Sequence, residues 1–299
     1  MQKKLFILIL VALGAFGRTS AQNYTEKFRK LIVEKDSTGV EKLLREWEKS
    51  SPRDPEMFIA QYNYFALKSK REVVSLTPEK PKGEGFLLSN TESGEPAGFL
   101  GTTVTYDSAT LRRGFDYIDR GIALYPTRLD MRFGRMYMLG ESGQFAEFTK
   151  KILETIELGY KTGHRWTWKG DKPLEDPKGF FLGSMQTYVR TLYETGDDGH
   201  LPMMREISEA VLRYEPDHVE SLSNIAISYL VAQEMGKALP YLLRAEAIAP
   251  TDIVILSNIA EAYSRQGDVI NAKLYYEKII EHGNEEEKEF AREKIPTEK

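Results

Sequence analysis

The strongest constraint on this chain is an internal copy in its last third. Leu222-Ser223-Asn224-Ile225-Ala226 recurs as Leu256-Ser257-Asn258-Ile259-Ala260, 34 residues later. The same shift carries Tyr229 onto Tyr263, Ala238 onto Ala272 and Leu242 onto Tyr276. A period of this length, with apolar residues at helical spacing, reads as pairs of short helices stacked in an array. Small residues such as Ala226 and Ala238 let two helices approach closely, while the large ones fill the grooves between successive hairpins.

The order of residue types carries more than the period. The first helix reads Leu222, Ile225, Ala226, Tyr229, and its partner reads Ala238, Leu242, Ala245 before Pro250. The next copy reads Leu256, Ile259, Ala260, Tyr263, Ala272, Tyr276, Ile279, with Asn284 where the proline would stand. This pattern resembles the tetratricopeptide repeat family. The resemblance implies an all-α fold, an α-solenoid of about six helical hairpins, acting as a non-enzymatic scaffold whose concave face holds a protein or peptide partner.

Earlier copies are weaker. Val40, Leu44, Trp47 and Pro52 keep the second-helix spacing, and Gly114, Ile118, Gly121 and Pro126 repeat it. Phe133, Gly134, Tyr137 and Ala146 match part of the pattern, and Val211 and Pro216 close a helix whose partner spans about Phe180 to Glu194. Two segments interrupt the array. Residues 69–108 separate a helix over Pro55–Leu67 from its expected partner over Leu111–Leu124. Within them Leu100, Thr102, Val104 and Tyr106 alternate, which reads as a small β-hairpin, with an irregular loop as the rival. The second break, 161–178, holds two tryptophans among glycines and prolines. The expected organisation is therefore 22–160 with its insertion, a Trp-containing loop over 161–178, and repeats over 179–299 ending in a charged capping helix.

Residues 1–21 form a separate segment: Lys3 and Lys4, an apolar run from Leu5 to Phe16, then Thr19-Ser20-Ala21. Basic, apolar and small in that order reads as a secretory signal, too short in its apolar part to span a bilayer. The expectation is an exported protein, periplasmic or extracellular, cut near Gln22. Without Lys3, Lys4 and Arg18 the chain holds 38 basic against 45 acidic residues, a net of −7. That balance argues against nucleic acid, whose phosphates call for a clustered basic surface. With no cysteine, neither disulfides nor thiol chemistry are available.

Motifs for chemistry are missing. The histidines, His164, His200, His218 and His282, do not pair at metal-ligand spacing, and no phosphate loop, dinucleotide fingerprint or nucleophile elbow occurs. No catalytic residue, metal or cofactor is expected. Binding candidates remain. Asn224 and Asn258 stand where tetratricopeptide domains that clasp peptide termini often carry a groove asparagine, although the basic partners of such a clamp are not evident. His164, Arg165, Trp166 and Trp168 lie in His164-Arg165-Trp166-Thr167-Trp168-Lys169. If that segment is extended, both indoles point the same way and make a platform for a sugar ring or an apolar side chain. The competing reading makes them filler between hairpins. The expected partner is accordingly a protein or peptide, or in the alternative a glycan held by the Trp loop.

Overall fold

The computed structural model describes residues 20–78, 85–91 and 93–295. The expected signal lies outside them, apart from its last two residues, which belong to the first helix. The described residues contain thirteen α-helices and a small strand insertion, arranged as six antiparallel helical hairpins and a terminal helix. The chain divides into two compact units, Met1–Tyr125 and Pro126–Lys299. The breaks expected near 160 and 178 fall inside the second unit.

The first unit holds α1 (Ser20–Val33) with α2 (Ser37–Ser50), and α3 (Pro55–Ser69) with α4 (Ser108–Leu124). Asp36 starts α2 by accepting from the Gly39 amide, and Asp54 starts α3 by accepting from Glu56, each meeting a donor that the first turn leaves unpaired. Asp54 also accepts from the Trp47 indole at 2.9 Å, so one carboxylate caps a helix and satisfies the most buried ring of this core. Trp47 packs with Val40, Leu44, Phe58 and Phe65, and Tyr24 stacks on it at 5.3 Å. The α3–α4 crossing is tight at Gly114, where a Cβ would lie 3.1 Å from the Phe65 Cβ.

The insertion is antiparallel strand structure, as the alternation over Leu100–Tyr106 indicates, with three strands: β1 (Lys70–Thr77), β2 (Gly85–Ser89) and β3 (Pro96–Tyr106), in the order β1-β3-β2. The extra strand is β1, which follows α3 without a linker. Its Val73-Val74 and Leu76-Thr77 are strand formers, but they directly continue a helix and carry no turn signal. The two ends of the insertion meet where the Asp107 amide donates to the Ser69 carbonyl at 2.7 Å.

The second unit stacks α5 (Leu129–Glu141) with α6 (Phe145–Lys161), α7 (Pro177–Tyr193) with α8 (Leu201–Leu212), α9 (Val219–Val231) with α10 (Met235–Ile248), and α11 (Ile253–Gln266) with α12 (Val269–His282). A two-strand turn, β4 (Thr167–Trp168) and β5 (Lys172–Pro173), joins the first two hairpins. Leu222, Ala226, Ala238, Leu242, Ala245 and their counterparts Leu256, Ala260, Ala272, Tyr276 and Ile279 are buried in one apolar cluster. Helix α13 (Glu285–Lys294) places Ala291 in that cluster and turns its acidic side to water. Asn284 explains the missing proline. It starts α13 with a reciprocal capping box to Glu287, so the chain re-enters a helix there.

Two outcomes follow from this packing. Ala238→Leu and Ala272→Leu should each destabilise the second unit by about 1–3 kcal/mol through overpacking, while Glu285→Gln on the exposed helix start should change stability by less than about 0.5 kcal/mol. Denaturant titration would measure both. Replacing 71–106 with a short Gly/Ser linker, keeping Asp107 because its side chain caps α4, should leave a cooperatively unfolding helical protein. Thermal unfolding followed by circular dichroism checks this, and loss of cooperativity would show the sheet to be part of the core.

Candidate functional site

The Trp segment is built on an inverted backbone. His164 takes φ 53°, unusual for a residue with a side chain, and its amide donates to the Gly159 carbonyl at 2.7 Å. The Trp166 amide turns back onto the His164 carbonyl, and only Thr167 and Trp168 are extended. The strand alternation that would align the two indoles therefore does not reach Trp166. Trp166 is 1% exposed and stacks on Phe181, with centroids 5.7 Å apart. His164 is buried between Tyr160 and Phe181. Gly159 makes room for them, since a Cβ there would stand 3.1 Å from the Trp166 ring and 3.2 Å from the imidazole. Both residues fill the joint between α6 and α7.

An internal ion pair holds the turn to the start of α5. The Arg128 guanidinium is buried, forms a two-pronged contact with Asp130 at 2.9 and 2.7 Å, and reaches Asp171 at 3.3 Å. The Thr167 amide donates to the Thr127 carbonyl. Arg165 points outward and donates to the Thr162 carbonyl. Trp168 is half-buried in an aromatic group with Phe133, Phe180 and Tyr188, in which Phe180 is 44% exposed. Of the expected aromatic pair, Trp168 alone reaches the surface, and its companions come from α5 and α7.

The two asparagines sit in different surroundings despite identical flanks. The Asn224 amide donates to the Gln186 side chain on α7. The Asn258 amide nitrogen is buried without a hydrogen-bond partner. Asn258 lines a groove of about 250 Å³ with Tyr193, Ile227, Leu230, Val231, Glu261 and Arg265. These residues come from α7, α9 and α11, the first helices of three successive hairpins. The floor is aliphatic, the rim offers a phenol and the Arg265–Glu261 ion pair at 2.7 Å, and the buried Asn258 amide nitrogen lies within the wall. A broader depression of about 390 Å³ lies between α6 and α8, lined by Ala146, Leu153 and Met203 with Lys150, Glu154 and Glu206, and holds none of the expected residues.

The repeat points to Asn258 but not to Tyr193, Phe180 or Tyr188. Their signal is position on the first helix of a degenerate copy, legible only once the register of α7 is known. Among the described residues, no cluster of three or more potential ligands could hold a metal ion, and no helix is long and apolar enough to cross a membrane.

No protein-family model and no curated protein matches the sequence. Among solved structures the chain is similar to PilW, described as a widely conserved type IV pilus biogenesis factor: 9% identity, TM-score 0.40, covering 92% of this chain and 99% of that one. It is also similar to the C-terminal part of a TPR repeat-containing protein from Cytophaga hutchinsonii (12% identity, TM-score 0.43, 88% and 78% covered). A third likeness is the TPR domain of P58(IPK), at 13% identity and TM-score 0.33, with 92% and 64% covered.

The buried imidazole has a measurable consequence. Burial, with Lys178 nearby, lowers the His164 pKa from its ordinary value, and Glu215 opposes this in part. The unfolded chain then binds a proton that the folded one resists. Stability attributable to His164 is fully present above about pH 6.5 and falls as pH drops towards the lowered folded value. His164→Phe should flatten the decline between about pH 7 and 5, as read from urea midpoints at each pH.

Proposed function

We propose that this chain is a non-catalytic scaffold of the cell envelope, holding an extended segment of a partner protein on the face built by α7, α9 and α11. The observation that carries this reading is the unpartnered Asn258 amide in a groove with an aliphatic floor. An extended peptide offers apolar side chains for Ile227, Leu230 and Val231, and a carbonyl that the Asn258 amide meets once its side chain turns out into the groove. Stacked hairpins present equivalent first-helix positions in a row, which suits a linear ligand. The leader-like residues 1–21 support export, periplasmic or extracellular.

A second reading has one specific observation in its favour. Trp168, Phe180, Phe133 and Tyr188 form an aromatic surface that a glycan ring could stack upon, with the hairpins as support.

Cross-linking in living cells from a photoreactive residue at position 193 separates the two. A partner polypeptide should be captured there. Asn258→Ala should lower its affinity by about tenfold, or 1.4 kcal/mol, without lowering the melting temperature, and Trp168→Ala should leave the affinity unaltered. Loss of binding with Trp168→Ala and indifference to Asn258→Ala would favour the glycan surface and overturn the groove.

A further inference from the structure

The sheet inserted between α3 and α4 carries a surface that the groove reading does not use. Its register aligns Val74 with Thr102 and Leu76 with Leu100, and on the other side of β3 aligns Phe86 with Leu100 and Leu88 with Gly98. Paired residues in an antiparallel ladder project to the same face. Val74, Leu76, Phe86, Leu88, Leu100 and Val104 therefore share one face, and they are between 38% and 74% exposed. A solvated sheet face would carry polar residues at these alternate positions, and this one does so only at Thr102 and towards its base.

Charge is confined to the base of the sheet. Lys70 and Glu72 lie on the same face and pair with each other at 2.9 Å. Beyond Glu72 this face has no charged residue among the described ones. Edge strands of monomeric proteins are usually guarded by lysine, proline or inward charge, and β2, Gly85-Phe86-Leu87-Leu88-Ser89, has none of these.

The occupant follows from charge and area. An uncharged apolar face complements itself, because nothing on it repels its own copy, and a two-fold dimer requires such self-complementarity. The six side chains expose on the order of 600 Å² of apolar surface, at the upper limit of the largest patch on a typical monomer. Two copies packed face to face would remove roughly 1,200 Å², the lower end of specific interfaces. We propose that this sheet is a dimerisation surface, on which the Val74, Leu76, Phe86 and Leu88 face packs against the same face of a second copy. Self-association doubles the number of partner grooves, so two weakly held segments of one assembly could be held together by avidity.

Sedimentation velocity of the full chain, from about 1 to about 100 μM, tests this by mass action. The wild type should pass from monomer to dimer within that range. Leu76→Lys with Phe86→Lys should move the midpoint at least about tenfold higher, whereas Leu87→Lys, on the opposite face, should not. Phe86→Lys and Phe86→Glu chains should each be monomeric and should associate when mixed, which guards against a variant that merely misfolds. A wild type that stays monomeric throughout would overturn the proposal, as would equal effects of charge on the two faces. Monomer that floats with phosphatidylcholine vesicles would assign the face to lipid instead.

Discussion

Close approach of paired helices at small residues is the constraint on which the rest of the structure depends. In the second unit Ala226, Ala238, Ala260 and Ala272 are fully buried, and in the first unit Gly114 does the same between α3 and α4. Helices that cross this closely have little freedom to rotate, because ridges and grooves of side chains interlock. That restriction makes the first helices of successive hairpins present the same face in turn. Tyr193, Ile227 and Asn258 reach one groove from three helices for this reason. A loosely packed bundle with the same composition would have no such row.

The amino-acid order is most informative where this constraint recurs with the same residues. Between 222 and 279 Ala226 and Ala238 recur as Ala260 and Ala272, and of the small positions in the pattern only Ala245 gives way to a larger residue, Ile279, so helix ends, partners and register are all legible from residue spacing alone. The first unit obeys the same geometry with larger side chains. Trp47, Phe58 and Phe65 occupy its core, and a core of large rings can be filled in many ways, which blurs the repeat. Its helices are still legible by spacing. The inserted sheet is half legible: alternation on β3 gives a strand, but β1 grows directly from α3, where helix and strand signals meet without a break. Alternation marks which residues share a face, not whether anything covers that face.

The Trp segment shows a different limit. Its chemistry is visible in the residue types, but its geometry depends on His164 adopting a left-handed backbone conformation, which glycine advertises and histidine does not. That one dihedral sends Trp166 inward against Phe181 and leaves Trp168 at the surface with Phe180. The buried Arg128 then fixes the turn through Asp171, a contact across 43 residues that no local pattern encodes. A guanidinium held this way is costly to remove, since the buried Asp130 carboxylate would be left unpaired.

Asn224 and Asn258 sharpen the distinction between what repeats and what functions. They occupy the same position in consecutive hairpins and share their flanking residues, so packing treats them alike. Their partners come from the helix one hairpin earlier. For Asn224 that helix is α7, which supplies Gln186 as an acceptor; for Asn258 it is α9, which presents Ile227, Leu230 and Val231. A buried amide without an acceptor costs about 1–3 kcal/mol, and a ligand carbonyl placed against it would recover much of that. Stability alone would favour filling the position with an apolar residue, as elsewhere in this cluster. On the proposed reading, the unsatisfied amide beside an open aliphatic groove is held for what the groove receives, a role that packing of the surrounding helices does not require.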